Sequence, residues 1–275
     1  MKSLPYIFFG TPDIAAETLQ ELFVAGYIPQ VVITGPDRPV GRGMHMTPPP
    51  VKVWADDHGI RVLQPEKIDI TFVEMLQREY PDNELYIVVA YGKILPESLI
   101  HIPKYGTLNI HYSLLPRFRG ASPVESAILA GDLVTGVTIQ SMVYELDAGD
   151  IIARAETDID PDETTPQLRS RLSTIGSSLL IETLHELPDH LANKTPQNPE
   201  GVTRCGKIKK TDGEVKRNDD SEEMYRKWRA YQPWPGIYYF DENNKRVKIT
   251  EMKRINGIPK ISKIIPEGGK EIVLH

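Results

Sequence analysis

The sequence has only one cysteine among its 275 residues, Cys205, so it cannot form a disulfide bond within the chain. It also lacks long hydrophobic runs, and none approaches the roughly 20 residues of a membrane span. The short apolar stretch near the N-terminus is broken at Gly10–Asp13, before a secretion signal could form. These absences predict a protein of the reducing cytoplasm that makes no use of the membrane.

Several catalytic and binding motifs are missing as well. No G-x-G-x-x-G follows the first apolar run, and there is no phosphate-binding P-loop and no G-x-S-x-G nucleophile motif. The seven histidines include no H-x-x-x-H pair, and Cys205 has no metal-ligand partner at a suitable spacing. We therefore expect no metal site and no serine nucleophile, and a nicotinamide-dependent dehydrogenase is improbable.

The remaining composition is that of a globular protein, with 40% hydrophobic and 25% charged residues. Up to about residue 187, short apolar runs alternate with helical patterns, which predicts an α/β fold with a mainly parallel sheet. The stretch 35–50 has five prolines and three glycines and is predicted to be a long loop. The predicted strands are 5–10, 31–33, 60–63, 85–91, 107–113, 136–143 and 150–155, and the predicted helices are 14–23, 51–58, 71–80, 121–130 and 164–186.

The character of the sequence changes near residue 188. A polar, proline-containing stretch predicts a linker, and short strand-like runs beyond it predict a small β-barrel, similar to an OB fold. Residues 1–199 carry 15 basic and 26 acidic side chains, a net charge of −11, whereas residues 200–275 carry 17 and 12, a net charge of +5. The predicted domains are a catalytic domain (1–188), a linker (189–206) and a C-terminal domain (207–275). The charge difference suggests different partners for the acidic and basic parts, but charge alone favours the alternative, a lysine-rich surface that is simply solvated.

The most informative segment is 107–120, TLNIHYSLLPRFRG. If it begins as a strand, Asn109, His111 and Ser113 share one face. Polar side chains at the carboxyl end of a strand in an α/β sheet are typical of a ligand site. A carboxamide and an imidazole two residues apart can converge on one carbonyl oxygen. The alternative is an edge strand with one solvated face.

Asp147 lies in the turn LDAGD, after the predicted strand 136–143. A parallel sheet would bring that strand end beside the end of the Asn109 and His111 strand. A carboxylate there would orient the imidazole and favour its protonated form. A structural carboxylate in a β-turn is an equally good interpretation, and Asp150 fits that interpretation just as well.

Four arginines, Arg38, Arg42, Arg117 and Arg119, lie in two predicted loops near these strand ends. Guanidinium groups suit the recognition of phosphate and carboxylate groups. Gly41 and Gly43 predict a flexible loop around Arg42, which could move when a ligand binds.

Segment 109–120, together with Asp147, resembles the folate-dependent formyltransferase family in its Asn-x-His pair and distant aspartate. Further matching segments are FGTPD (9–13), RPVGRG (38–43), PVKV (50–53), VAYGKILP (89–96), ASPVESAI (121–128) and PWPG (233–236). The loop and the C-terminal segment resemble the members of the family that act on tRNA.

This resemblance implies formyl transfer from 10-formyltetrahydrofolate to the α-amino group of methionine on initiator tRNA, for translation initiation. Asn109 and protonated His111 would stabilise the oxyanion, and Asp147 would hold His111 charged. The implied folate site consists of Ser113, Leu114, Leu115, Pro116, Val89, Ala90, Tyr91, Gly92, Ile94 and Leu95. The implied tRNA-binding residues are Arg38, Arg42, Lys207, Lys209 and Lys210. We expect a monomer without a metal ion.

Two other functions stay open. A formyltransferase for a nucleotide-linked amino sugar would keep the same three catalytic residues but would not need a basic C-terminal segment. A non-catalytic RNA-binding module would bind RNA without forming a formylated product.

Overall fold

The computed structural model describes residues 4–40 and 43–274. The chain forms two compact units. Unit 1 comprises Met1–Arg119, Gly136–Glu156 and Arg171–Val202, and unit 2 comprises Gly120–Thr135, Thr157–Ser170 and Thr203–His275. The units are thus interleaved along the chain, whereas the predicted domains are consecutive, and the boundaries at 188 and 206 stay a prediction.

Unit 1 is built on a seven-stranded sheet. Its strands are β1 (Tyr6–Gly10), β2 (Val31–Ile33), β5 (Val62–Leu63), β6 (Leu85–Val89), β7 (Thr107–His111), β9 (Val134–Ser141) and β10 (Ile151–Asp158). They lie in the order β10-β9-β7-β6-β1-β2-β5. The pairings from β7 through to β5 are all parallel, and β9 is antiparallel to β7. The mainly parallel α/β sheet predicted from the sequence is therefore confirmed.

The central strands are apolar on both sides because helices cover both faces. On one face, Phe9 and Tyr86 pack in a core cluster with Val73 and Leu76 of α3 (Ile70–Glu79) and with Leu99 of α4 (Glu97–Ile100). The other face is covered by α1 (Asp13–Val24). This helix approaches β1 so closely that a Cβ atom added to Gly10 would lie 2.7 Å from Cβ of Ala15. The last helix to cover this face is α6 (Thr165–His185), whose Gly176 packs against Ile110 and Val137.

Other elements of the chain are short. A hairpin is formed by β3 (Arg38–Val40) and β4 (His45–Thr47), and α2 (Pro50–Asp57) follows it. The remaining short elements are β8 (Arg119–Gly120), α5 (Pro123–Ala130), α7 (Leu187–Ala192), the 3-10 turn Pro199–Gly201, β11 (Arg204–Cys205) and the 3-10 turn Lys210–Gly213.

Unit 2 contains a four-stranded antiparallel sheet packed beside a helix. Its strands, β12 (Ile237–Phe240), β13 (Arg246–Ile255), β14 (Ile258–Pro266) and β15 (Ile272–Val273), pair in sequential order. The helix α8 (Ser221–Ala230) is capped by Asp220, whose carboxylate accepts hydrogen bonds from the N–H groups of Glu222 and Glu223. The predicted C-terminal strands are confirmed, and among the described residues they form a sheet in which β12 and β15 do not pair.

Three expectations about secondary structure were wrong. The predicted loop 35–50 contains the β3–β4 hairpin, in which Pro39 lies opposite Met46. Both strands of a two-stranded hairpin are edge strands, and an edge strand tolerates proline. The predicted linker contains α7 and β11. The third concerns β9, which was expected to extend the parallel sheet but runs antiparallel to β7.

Candidate active site

Polar side chains from β7 and β9 share one face of the sheet. Asn109 lies opposite Gln140, and His111 lies opposite Thr138, in the antiparallel register of the two strands. Directly opposite residues of an antiparallel pair point to the same side, with Cβ atoms about 5 Å apart. The site therefore begins as a row of four polar groups at the edge of the parallel region.

His111 has an acceptor at each ring nitrogen. Its Nε2 atom lies 2.9 Å from the carbonyl oxygen of Phe118, and its Nδ1 atom lies 3.6 Å from Oδ1 of Asp147. The imidazole is 5% exposed. Because each of these acceptors faces one ring nitrogen, the two together fix the orientation of the imidazole.

Asp147 reaches His111 by a path that the sequence did not predict. Because β9 is antiparallel, its end at Ser141 lies beside Leu108, at the start of β7. The chain returns along the sheet after Ser141, and Nε2 of Gln140 donates a 3.0 Å hydrogen bond to Oδ1 of Asp147. The predicted proximity of Asp147 and His111 is present, but the predicted reason for it, a parallel strand, was wrong.

The turn that carries Asp147 is tightly constrained. Asp147 has a φ of +52°, in the left-handed region that non-glycine residues adopt rarely. Gly149 lies so close to β9 that a Cβ there would be 1.6 Å from the carbonyl oxygen of Ser141. Strained backbone of this kind clusters at functional sites.

Asn109 is only partly buried, and its carboxamide makes no hydrogen bond within the described residues. An amide N–H donor at this position is free to bind an oxygen atom of a ligand. Asn109 and His111 thus lie on one face as predicted, next to the Asp147 carboxylate.

Ser113, predicted for the same face, is used within the protein. Its hydroxyl donates a 2.6 Å hydrogen bond to the carbonyl of Arg117. The hydroxyl of Thr138 donates to the Ser113 carbonyl (2.7 Å) and accepts from the N–H of Leu115 (3.1 Å). These bonds fix the turn after β7, in which Ser113 and Leu115 are buried and Leu114 and Pro116 are half-buried.

The segment after β6 lies at the same edge of the sheet. Val89, Tyr91 and Leu95 are buried, whereas Ala90, Gly92 and Ile94 are exposed. The hydroxyl of Thr11 donates to the carbonyl of Tyr91 (3.2 Å) and accepts from the N–H of Gly35, which ties together the ends of β1, β2 and β6. Ala90 has a φ of +48° and is a second strained residue at this edge.

Lys93 anchors this segment. Its ammonium group donates to the backbone carbonyls of Pro65 and Glu66. Burial, and to a smaller extent the charge of Arg38, lowers the pKa of Lys93. The side chain therefore points to the backbone of a neighbouring loop.

The predicted basic residues differ in their surroundings. Arg38 is exposed on β3, and Arg42 lies outside the described residues. Arg117 is exposed and stacks on the ring of Phe118 at 4.4 Å, whereas Arg119 is 8% exposed and donates to the side chain of Gln197. Arg119 is therefore an internal residue. This contradicts its interpretation as one of four loop arginines suited to binding a phosphate or carboxylate group. In unit 2, Lys207, Lys209 and Lys210 are exposed.

Three polar residues of the site were not identified from the sequence: Gln140, Thr138 and Gln197. The first two alternate along a predicted strand, and the period of two could have placed them on one polar face. Gln197 lies in the predicted linker, where no local pattern identifies it. Across residues 4–40 and 43–274, no three His, Cys, Asp or Glu side chains are grouped as metal ligands would be. No helix in that part of the chain is long and apolar enough to cross a membrane.

Two family models match the chain. Residues 6–184 match the formyl transferase model, and residues 207–274 match the model of the formyl transferase C-terminal domain. Methionyl-tRNA formyltransferase of Geotalea uraniireducens is 42% identical over 258 residues, which cover 94% of this chain and 82% of that relative.

Solved structures show the same fold at low identity. A sugar N-formyltransferase from Shewanella is 18% identical, with a TM-score of 0.67, over 92% of this chain and 98% of that chain. HypX from Aquifex aeolicus in complex with tetrahydrofolic acid is 15% identical, with a TM-score of 0.65, over 99% of this chain and 46% of that chain. The family models and the relative that is 42% identical show that the chain belongs to the formyl transferase family.

Proposed function

We propose that this enzyme transfers a formyl group from 10-formyltetrahydrofolate to the α-amino group of methionyl initiator tRNA. The observation that carries the proposal is the grouping of Asn109, His111 and Asp147 on one sheet edge of a formyl transferase chain. The identity of 42% to a methionyl-tRNA formyltransferase supports the acceptor. The donor is a folate-derived formyl compound, as suits the family, and the 10-formyl form is the specific proposal.

The chemistry needs no nucleophile from the enzyme, because the amine of the substrate attacks the formyl carbon. A new C–N bond forms, the bond from the formyl carbon to the folate nitrogen breaks, and the proton lost by the amine ends on that nitrogen. The tetrahedral intermediate between these steps carries an oxyanion. Preorganised donors stabilise such an oxyanion by several kcal/mol, with removal of one donor costing roughly 3–4 kcal/mol.

Asn109 and His111 are the proposed oxyanion donors. The Asn109 carboxamide is already available, whereas Nε2 of His111 bonds to the Phe118 carbonyl at 2.9 Å. Nε2 of His111 can donate a hydrogen bond to the oxyanion once its bond to the Phe118 carbonyl breaks. Asp147, whose Oδ1 lies 3.6 Å from Nδ1, keeps the ring oriented.

We propose that folate binds at the edge formed by the ends of β6 and β7. Ala90, Gly92 and Ile94 offer exposed groups there, and Leu114 and Pro116 are partly exposed. The other residues of the predicted folate site have buried side chains, and we propose that they form and support its wall. They are Val89, Tyr91, Leu95, Ser113 and Leu115. The strained φ of Ala90 favours a role for this segment in binding.

The proposed tRNA contacts are basic residues of both units. In unit 1 they are Arg38, on β3, and Arg42, which lies outside the described residues. In unit 2 they are Lys207, Lys209 and Lys210, which are exposed near the 3-10 turn Lys210–Gly213. Positive charge binds the phosphates of RNA without regard to sequence. We place the enzyme in the cytoplasm as a monomer.

An assay of formyl transfer tests the proposal. Purified protein receives labelled 10-formyltetrahydrofolate and either methionyl initiator tRNA or a nucleotide-linked amino sugar, with each component omitted in turn. We expect label on the tRNA only when all components are present, and its loss in His111→Ala. Formylation of the sugar alone would indicate the other acceptor class, and RNA binding without product, unchanged in His111→Ala, would indicate a binding module.

A further inference from the structure

Gln197 lies in the predicted linker but is part of the surroundings of Asp147. Its side-chain Nε2 atom donates a 2.8 Å hydrogen bond to the carbonyl oxygen of Asp147 and a 2.7 Å bond to that of Gly149. The residue is 9% exposed and belongs to unit 1, as does Asp147. Both protons of the carboxamide are therefore used to hold the turn that carries the catalytic carboxylate.

The other end of the carboxamide is held by Arg119. Nε of Arg119 donates a 2.9 Å bond to Oε1 of Gln197, and these residues are 78 positions apart in the chain. Nη1 of Arg119 lies 3.5 Å from a carboxylate oxygen of Glu145, two residues before Asp147. With its oxygen bound to a guanidinium and its nitrogen to two carbonyls, the amide has one satisfying orientation.

The same chain segment also reaches His111. Phe118, which precedes Arg119, provides the carbonyl that faces Nε2 of His111. The segment 118–119 therefore contacts the imidazole directly and the Asp147 turn through Gln197. Phe118 has a φ of +59°, so the backbone is strained at this point as it is at Asp147.

We propose that Gln197, clamped by Arg119, is a positioning residue that directs the Asp147 carboxylate at His111; this rests on the proposed function. The carboxylate is attached to a backbone in a rare conformation, and the two Gln197 bonds hold its carbonyl and that of Gly149. Without them, the turn can relax, and the carboxylate leaves the imidazole. A misplacement of about 1 Å can cost roughly 10²-fold in rate.

The first test is Gln197→Glu, which keeps the shape but replaces two N–H donors by an oxygen that repels both carbonyls. We expect kcat to fall by roughly 10- to 100-fold, while KM for the folate and the acceptor stay within about twofold, since binding groups are untouched. Gln77→Glu, at an exposed position on α3, is the matched control and should behave like the parent. A parental kcat in Gln197→Glu would overturn the proposal.

A double-mutant cycle separates positioning from a general loss of structure. In an Asp147→Asn background, Gln197→Glu should cost less than about twofold, because its effect passes through the carboxylate. If Gln197→Glu lowers kcat by the same factor in the Asp147→Asn background as in the parent, the proposal is overturned. If Gln197→Glu does not fold, the cycle is repeated with Gln197→Met, which keeps the side-chain volume but has no N–H donors.

Activity of the parent is measured first, with tRNA and amino-sugar acceptors. A parent that prefers the sugar contradicts the proposed acceptor but leaves the variant ratios measurable on that acceptor. The ratios alone decide the role of Gln197.

Discussion

Asp147 lies 3.6 Å from Nδ1 of His111 although the strand before Asp147 runs antiparallel to the strand of His111. The separation is longer than a hydrogen bond of 2.7–3.2 Å, as is common for catalytic pairs without substrate. Gln140 and Gln197 hold the carboxylate group and the backbone of Asp147, respectively. The pair therefore depends on contacts made by other strands and loops.

Asn109→Ala should reduce the rate of formyl transfer by roughly 10²- to 10³-fold, as expected for loss of one oxyanion donor. Binding of methionyl-tRNA should persist, because the carboxamide acts on the developing charge. Single-turnover kinetics and a tRNA binding assay measure the two effects. Lost binding with an unchanged rate would contradict the role of Asn109.

Arg42→Ala should lower turnover on methionyl-tRNA by tenfold or more, since a guanidinium contact to RNA is typically worth about 1–3 kcal/mol. Its control is Arg78→Ala, at an exposed position on α3. Initial rates at limiting tRNA are the measurement. Parental turnover in Arg42→Ala would remove Arg42 from the proposed interface.

Combined substitution of Lys207, Lys209 and Lys210 by glutamine should weaken tRNA binding and flatten its salt dependence. If all three contact phosphates, the slope of log K against log salt should change by roughly two to three. Filter binding at several salt concentrations measures the slope. Substitution is preferable to removing residues 200–275, because unit 2 also contains earlier parts of the chain. An unchanged slope would contradict a role for these lysines.

Glu222→Gln should reduce stability above about pH 4.5 and have less effect in acid. Two hydrogen bonds from the Arg254 guanidinium, at 2.6 and 3.0 Å, hold the pKa of Glu222 below its ordinary value of 4.5. A carboxyl whose folded pKa is lowered contributes stability above the unfolded pKa and loses it as the pH falls through the folded value.

The expected loss for Glu222→Gln near neutral pH is about 0.5 kcal/mol, since the Glu222 side chain is 44% exposed and solvent screens the pair. Urea unfolding at pH 7 and at pH 3 measures it. An equal loss at both pH values would show that packing rather than charge is responsible.

Much of the fold was predictable from local patterns. The buried strands β1, β6 and β7 are short apolar runs, and a period of two was enough to put Asn109 and His111 on one face. The β3–β4 hairpin and the helix Ser221–Ala230 were missed. Pro39 interrupts the first strand of the hairpin, and the helix is rich in charged residues, which obscure the helical spacing of Met224, Tyr225 and Trp228.

The amino-acid sequence by itself determined the alternating α/β pattern, the pair Asn109 and His111, and the segregation of basic charge in the last part of the chain. Only the tertiary structure decided that β9 is antiparallel, that Asp147 returns to His111 through a strained turn, and that Arg119 and Gln197 are buried beneath it. The first group depends on neighbours along the chain, where periodicity acts. The second depends on hydrogen bonds between distant residues, which form only when the sheet brings them together.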